Sequence, residues 1–286
     1  MIIDVHTHLN NYDETRQASV EKCLDELRES MAYNKVDYAM VLTSYVVNEY
    51  RPSTRAVVEA TADCKNIFVV AGLSFKNYKE RDLREISDYL KDGKVRGLKI
   101  YPGYEPFYPH DPRCQVLYDL AMEYDVPVMI HTGDTFNPKG KVRFSHPLHV
   151  DDVAVDNPGL KLVICHIGNP WIRDCMEVVY KNKNAFADIS GLVLGDFKSH
   201  FKKFMLQQVK DMILYAGEPD YLLYGTDWPI CRMRTYLGFV NALGLSLEAK
   251  EKILWRNANR LFRLGIPDAG PAVKPGNYHE REITTA

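Results

Sequence analysis

Short apolar, β-rich runs recur along the chain, separated by stretches whose apolar residues follow helical spacing. The runs are IIDVH (2–6), YAMVL (38–42), IFVVAG (67–72), GLKIY (97–101), VPVMIH (126–131), LKLVICH (160–166), AFADIS (185–190) and YLLYGTD (221–227). Their starts lie roughly 31 residues apart on average, the length of a strand, a helix and two loops. In the first gap Val20, Cys23, Leu24, Leu27 and Met31 mark one helix face, and Leu117, Leu120, Ala121 and Tyr124 repeat the pattern before the fifth run. The runs are continuously apolar more than alternating, as strands covered on both faces should be. Eight alternating βα units predict an α/β fold, a parallel (β/α)8 TIM barrel closed on itself. No GxGxxG follows the first run, which argues against a dinucleotide-binding sheet. A single barrel domain is expected over 1–266, followed by a Pro-, Gly- and charge-rich tail over 267–286.

Composition narrows the field without changing that picture. A length of 286 residues suits one barrel, and a hydrophobic fraction of 46% is enough for a large core. The 36 basic and 38 acidic residues are interspersed, so neither nucleic acid nor an anionic membrane is an expected partner. The start MIIDVHTHLNNYDE lacks the charged and apolar regions of a signal peptide, and no run approaches a membrane span, so a cytoplasmic protein is expected. Six scattered cysteines without CxxC spacing argue against a disulfide framework or a thiolate zinc site.

Barrel enzymes carry their chemistry at the C-terminal ends of the strands. Those ends hold His6 and His8 on the first strand, Lys99 on the fourth, His131 on the fifth, His166 on the sixth and Asp227 on the eighth. Residues two apart share a strand face, so His6 and His8 can both look into the mouth. Asp227 would stand beside them, since the first and eighth strands are neighbours in a closed barrel, and His131 would approach from the far side. Singly, each is an ordinary polar residue at a strand end or turn. Together, three imidazoles and a carboxylate make a ligand set for one divalent ion, zinc first, with manganese, iron or cobalt as alternatives. Asp4 and Thr7 are expected to face away and act structurally. His110, His146, His149, His200 and His279 read as solvated or capping residues, with His146 and His149 the reserves.

The motifs DVHTHL, GLKIYPGYEPFYPHDPRCQVLYDLA, VPVMIHTG, LKLVICHIGNPW, ADISG, YGTDWP and ILWRNANRLFRL occur in order between about residues 1 and 265. This series resembles the amidohydrolase superfamily, and within it the amidohydrolase-2 branch that holds the aminocarboxymuconate-semialdehyde decarboxylase-like enzymes. The resemblance implies a distorted barrel with a divalent metal at its mouth. It implies His6, His8, His131 and Asp227 as metal ligands and His166 as the catalytic histidine. Both hydrolysis and non-oxidative decarboxylation occur in the family. The chain's shortness and its HIGNPW after strand six favour a metal-dependent hydrolase of a small carboxylated amide, ester or lactone, with a carboxy-lyase of a small unsaturated or aromatic acid as the alternative. A deoxyribonuclease branch also opens on HxH, but it resembles a pattern with a glutamate near strand four, where this chain has Lys99.

In the hydrolase reading a metal-bound water becomes hydroxide near neutral pH, His166 positions or deprotonates it, and Asp227 passes the proton to the leaving group. Tyr101, Tyr104, Trp171 and Trp228 offer apolar walls for a small-molecule substrate. Lys99 and the arginines Arg143, Arg173, Arg232 and Arg234 offer carboxylate partners. The mouth loops and the tail are compatible with a homodimer.

Overall fold

The computed structural model describes residues 1–12 and 18–267. Its eight strands are β1 (Ile3–Thr7), β2 (Tyr38–Leu42), β3 (Ile67–Gly72), β4 (Val95–Ile100), β5 (Val128–Ile130), β6 (Leu162–Ile164), β7 (Ala185–Asp188) and β8 (Leu222–Leu223). They pair in parallel, each with the next, in chain order. The seam between first and last closes through Val5 N–H to Tyr224 O at 3.0 Å, Asp227 N–H to His6 O at 2.7 Å and His8 N–H to Trp228 O at 2.8 Å. The chain is therefore a (β/α)8 TIM barrel. The expected eighth strand is cut to two residues because its continuation pairs with β1 by separate hydrogen bonds instead of a regular ladder.

The connecting helices include α1 (Val20–Asn34), α2 (Thr54–Ala60), α3 (Glu80–Lys91), α4 (Gln115–Glu123), α5 (Leu148–Asp156), α6 (Ile172–Lys181), α7 (Ser199–Ala216) and α8 (Met233–Ala242). Ser19 caps α1, its side chain accepting from Lys22 N–H, and the apolar face read from spacing (Cys23, Leu24, Leu27 and Met31) is buried. Outward strand residues such as Val41, Val69, Leu98, Ile100 and Leu162 pack with these helices. Inward residues Ile3, Val5, Met40, Leu42, Val70, Met129, Val163 and Leu223 form a separate cluster with Trp255, Ala258, Leu261 and Phe262. The C-terminal helical segment thus plugs the N-terminal end of the barrel, leaving the opposite end as the mouth. The tail expected over 267–286 falls, from residue 268 onward, outside the described residues.

The barrel is distorted where the chemistry begins. Asp4 pairs with Ala39 and Thr7 with Val41, so three steps along β1 match two along β2. Strict alternation would put Asp4 on the same face as His6 and His8; the extra residue breaks that phase. Asp4 instead accepts from Thr226 N–H at 3.0 Å and Thr226 Oγ1–H at 2.6 Å, and Thr7 Oγ1–H donates to Met40 O at 2.8 Å. Both are buried and tie β1 to its neighbours.

Candidate metal centre

The ends of β1, β6, β7 and β8 meet at the mouth. His6 Nδ1 lies 2.9 Å from Asp188 Oδ2, and His8 Nδ1 lies 2.8 Å from the carbonyl of Leu42. Both partners are acceptors, so each Nδ1 carries the hydrogen and Nε2 is the nitrogen left over. The two Nε2 atoms approach Asp227 Oδ1, at 3.8 Å from His6 and 3.1 Å from His8. His166 joins them, with its ring centroid 4.9 Å from that of His6. Its Nδ1 donates to the carbonyl of Ser190 at 3.1 Å, again leaving Nε2. One ligand atom each from His6, His166 and Asp227 lie within 4.8 Å of one another.

Backbone geometry is bent to bring these groups together. His166 and Asp227 both take left-handed conformations, with φ of +61° and +70°. Such values are uncommon outside glycine and concentrate at functional sites. Gly191 is required beside them: a Cβ there would lie 2.5 Å from His166 Nδ1 and 3.1 Å from Asp227 Oδ2.

Asp188 organises the floor of this cluster. It is fully buried and accepts from His6 Nδ1–H, from His166 N–H at 3.0 Å and from Ser190 N–H at 3.0 Å, and Ser190 Oγ–H adds a further short bond. Burial alone would raise its pKa, but these donors and the charge available on His6 hold the carboxyl well below the usual carboxylate range. Burial lowers His6 to about 4, with Asp188 opposing the shift, so the imidazole is neutral and its Nε2 lone pair is free at neutral pH. Asp227 behaves like Asp188: burial would raise it, and the surrounding imidazoles of His8, His6 and His166 pull it well below the usual carboxylate range. Burial lowers His131 and His166 as well. Neutral imidazoles beside an ionised carboxylate suit a divalent first-row ion, so the donor set fits the expected metal.

The other expected residues are distributed unevenly. His131 is buried and its ring centroid lies 5.2 Å from His166 and 4.7 Å from Tyr104, but Nε2 donates to Asp134 O at 3.0 Å, so Nδ1 is its remaining nitrogen. Lys99 is 1% exposed inside the barrel, with Nζ donating to Cys165 Sγ at 2.7 Å and standing 5.2 Å from the Tyr101 ring. Tyr101 is buried, its hydroxyl donating to Thr43 O. Trp228 supplies the carbonyl that accepts from His8 and packs toward the helical layer, whereas Trp171 packs on His146 with centroids 4.8 Å apart. Arg232 is turned to the surface, 2.8 Å from Asp196, where it lines a shallow hollow with Arg234.

Asp188 and Ser190 are absent from the sequence-derived set, although AFADIS ends a strand and the same strand-end rule would have found them. Tyr12, Tyr45 and Arg51 also lie at the mouth. Tyr12 packs on His8 at 6.3 Å between centroids, Tyr45 on Tyr101 at 5.0 Å and on Tyr104 at 5.9 Å, and the charge of Arg51 reaches both Tyr12 and Tyr45. They sit on loops after β1 and β2, where no periodicity singles them out.

A family model described as Amidohydrolase matches residues 3–264. The chain belongs to the amidohydrolase family, in its amidohydrolase-2 branch, and is an enzyme of that superfamily. It is 22% identical over 207 residues to a gamma-resorcylate decarboxylase of Rhodococcus jostii (strain RHA1), a match spanning 61% of this chain and 61% of that relative's length. A dihydroxybenzoic acid decarboxylase from Polaromonas sp. JS666, solved with manganese and 2-nitroresorcinol, superposes with a TM-score of 0.66 at 17% identity over 93% of this chain and 98% of that one. A probable 2-pyrone-4,6-dicarboxylic acid hydrolase from Acinetobacter baumannii, solved with citric acid, superposes with a TM-score of 0.65 at 14% identity over 92% of this chain and 99% of that one. At these identities the two superpositions show the shared fold. Among the described residues, no helix is long and apolar enough to cross a membrane.

Proposed function

We propose that the chain is a metal-dependent, non-oxidative decarboxylase of a small hydroxylated aromatic carboxylic acid. The observation that carries the metal centre is the approach of His6 and His8 Nε2 to Asp227 Oδ1 while both Nδ1 atoms are tied to acceptors. The decarboxylase names of the relatives, and the manganese in the Polaromonas structure, move the reading from hydrolysis to carbon–carbon cleavage. A mouth walled by Tyr12, Tyr45 and Tyr104 suits a flat ring, and the charge of Arg51 suits an acid group.

His6, His8 and Asp227 would hold the ion, with His131 Nδ1 and His166 Nε2 the further nitrogens available to it or to substrate. When bound, a divalent ion supplies Lewis acidity that orients the substrate's oxygens and stabilises negative charge on them. His166 Nε2 and the Asp227 carboxylate are placed to pass one proton taken up from solvent to the ring carbon that bears the carboxylate. The bond to the carboxylate then breaks, its electron pair returns to the ring, and carbon dioxide leaves. Net, the acid's anion and one proton become the arene and carbon dioxide.

A panel of hydroxybenzoates and lactones tests this reading. Carbon dioxide released from a hydroxybenzoate and abolished by chelation supports it. Acid release from a lactone without carbon dioxide would return the chain to the hydrolase reading.

A further inference from the structure

Away from the mouth's metal centre, the loop after β4 and the helix after β5 bring two histidines and an aspartate together at the rim. His110 Nδ1 is 3.1 Å from Asp152 Oδ2, and one ligand atom each from His110, His149 and Asp152 lie within 4.8 Å of one another. We propose that these three residues form a second divalent-cation site, of the borderline class that zinc represents, which ties the β4 loop to α5.

A simple ion pair accounts for His110 and Asp152 but leaves His149 unexplained. His149 Nε2 lies 2.8 Å from the carbonyl of Arg143, an acceptor, so Nε2 carries the hydrogen and Nδ1 presents a lone pair. An imidazole oriented by a backbone carbonyl is the usual state of a metal-bound histidine. His149 and Asp152 are three residues apart on α5 and so share a face. Zinc–nitrogen bonds of about 2.0–2.1 Å place neighbouring tetrahedral ligands about 3.3 Å apart, close to the observed His110–Asp152 separation. Two imidazoles and one carboxylate select zinc, copper or nickel over calcium or magnesium, with the remaining positions open to water.

Both rings are held without the ion. The Tyr108 ring lies nearly parallel to His110, 5° apart with centroids at 5.3 Å, and packs edge-on against His149 at 4.7 Å. The loop is fixed on either side of His110: Tyr118 donates to Pro109 O, and Asp111 accepts from Arg113 N–H at 3.0 Å. A cation here would brace the loop that begins with Tyr101 and Tyr104, a wall of the mouth. The surrounding residues are partly exposed, His110 by 38% and Asp152 by 57% of their side chains, so the ion can exchange with solvent.

The test is zinc stoichiometry by elemental analysis of the full chain, stripped with chelator and dialysed against zinc. His110→Ala, and separately Asp152→Asn, should hold one equivalent fewer than the native chain. His6→Ala combined with His8→Ala should keep the rim equivalent, so the two sites fail independently. Zinc should also slow amide exchange at Tyr108, His110 and Asp111 in the native chain and leave His110→Ala unaffected. His149→Ala also loses the bond to Arg143, so the exposed His110→Ala decides the matter. Equal zinc in the native chain and His110→Ala overturns the proposal.

Discussion

His6 and Asp188, 182 residues apart in sequence, meet at 2.9 Å with both side chains sealed from solvent. The contact sets which imidazole nitrogen faces Asp227, so Asp188 shapes the candidate metal centre without being one of its expected ligands. Replacing Asp188 with Asn keeps the shape but permits the amide to present N–H toward His6 Nδ1. Loss of such an outer partner weakens metal binding about 10–100-fold, and chelator competition on Asp188→Asn should show a loss in that range. Unchanged affinity would mean that the tautomer of His6 is set by other contacts.

His166 belongs to the donor cluster yet is expected to act on protons. His166→Asn should retain the metal and lower turnover by at least about 10²-fold, the usual contribution of a positioned proton-transfer group. Elemental analysis alongside kinetics separates the roles, because complete loss of metal would make His166 a ligand.

Arg51 makes no ion pair among the described residues, and its charge reaches Tyr12 and Tyr45. Arg51→Met should raise KM roughly 10–100-fold with a smaller change in kcat, as loss of a charge-assisted hydrogen bond to the substrate's carboxylate would. A fall in kcat with KM unchanged would place Arg51 in the chemical step instead.

The metal-free chain should gain stability as pH rises from about 4 to 6.5. Burial holds His6 at about 4 against an ordinary 6.5, and it lowers His131 and His166 too. Unfolding in that window takes up protons on these rings, so raising the pH favours the folded state. Asp4 opposes the trend: burial lifts it from 3.8 to about 7, so the stability it contributes is lost as pH climbs through that interval. Three histidines should outweigh one aspartate, and Asp4→Asn should steepen the rise. A thermal midpoint that falls across this range would contradict the assignment.

The strand rhythm was legible because buried parallel strands are apolar on both faces, and seven of the eight runs overlap regular strands of at least three residues. The eighth shrinks because Tyr224 and Asp227 pair singly with β1, a tertiary effect that local pattern does not carry. His6, His8, His166 and Asp227 were legible from strand ends alone. The side-chain placements were less so: Arg232 finds Asp196 at the surface, and Trp171 finds His146, because loop direction decides them. The contribution of His149 was hidden for the same reason, since HPLHVDD reads as a helix start until the β4 loop lands beside it.

The most direct measurement is the fate of carboxyl-labelled 2,6-dihydroxybenzoate with manganese-loaded enzyme in deuterium oxide. The proposed function predicts labelled carbon dioxide and a resorcinol carrying one deuterium at the vacated carbon, both abolished in Asp227→Asn. Recovery of the labelled acid intact, with lactone hydrolysis by the same preparation, would contradict it.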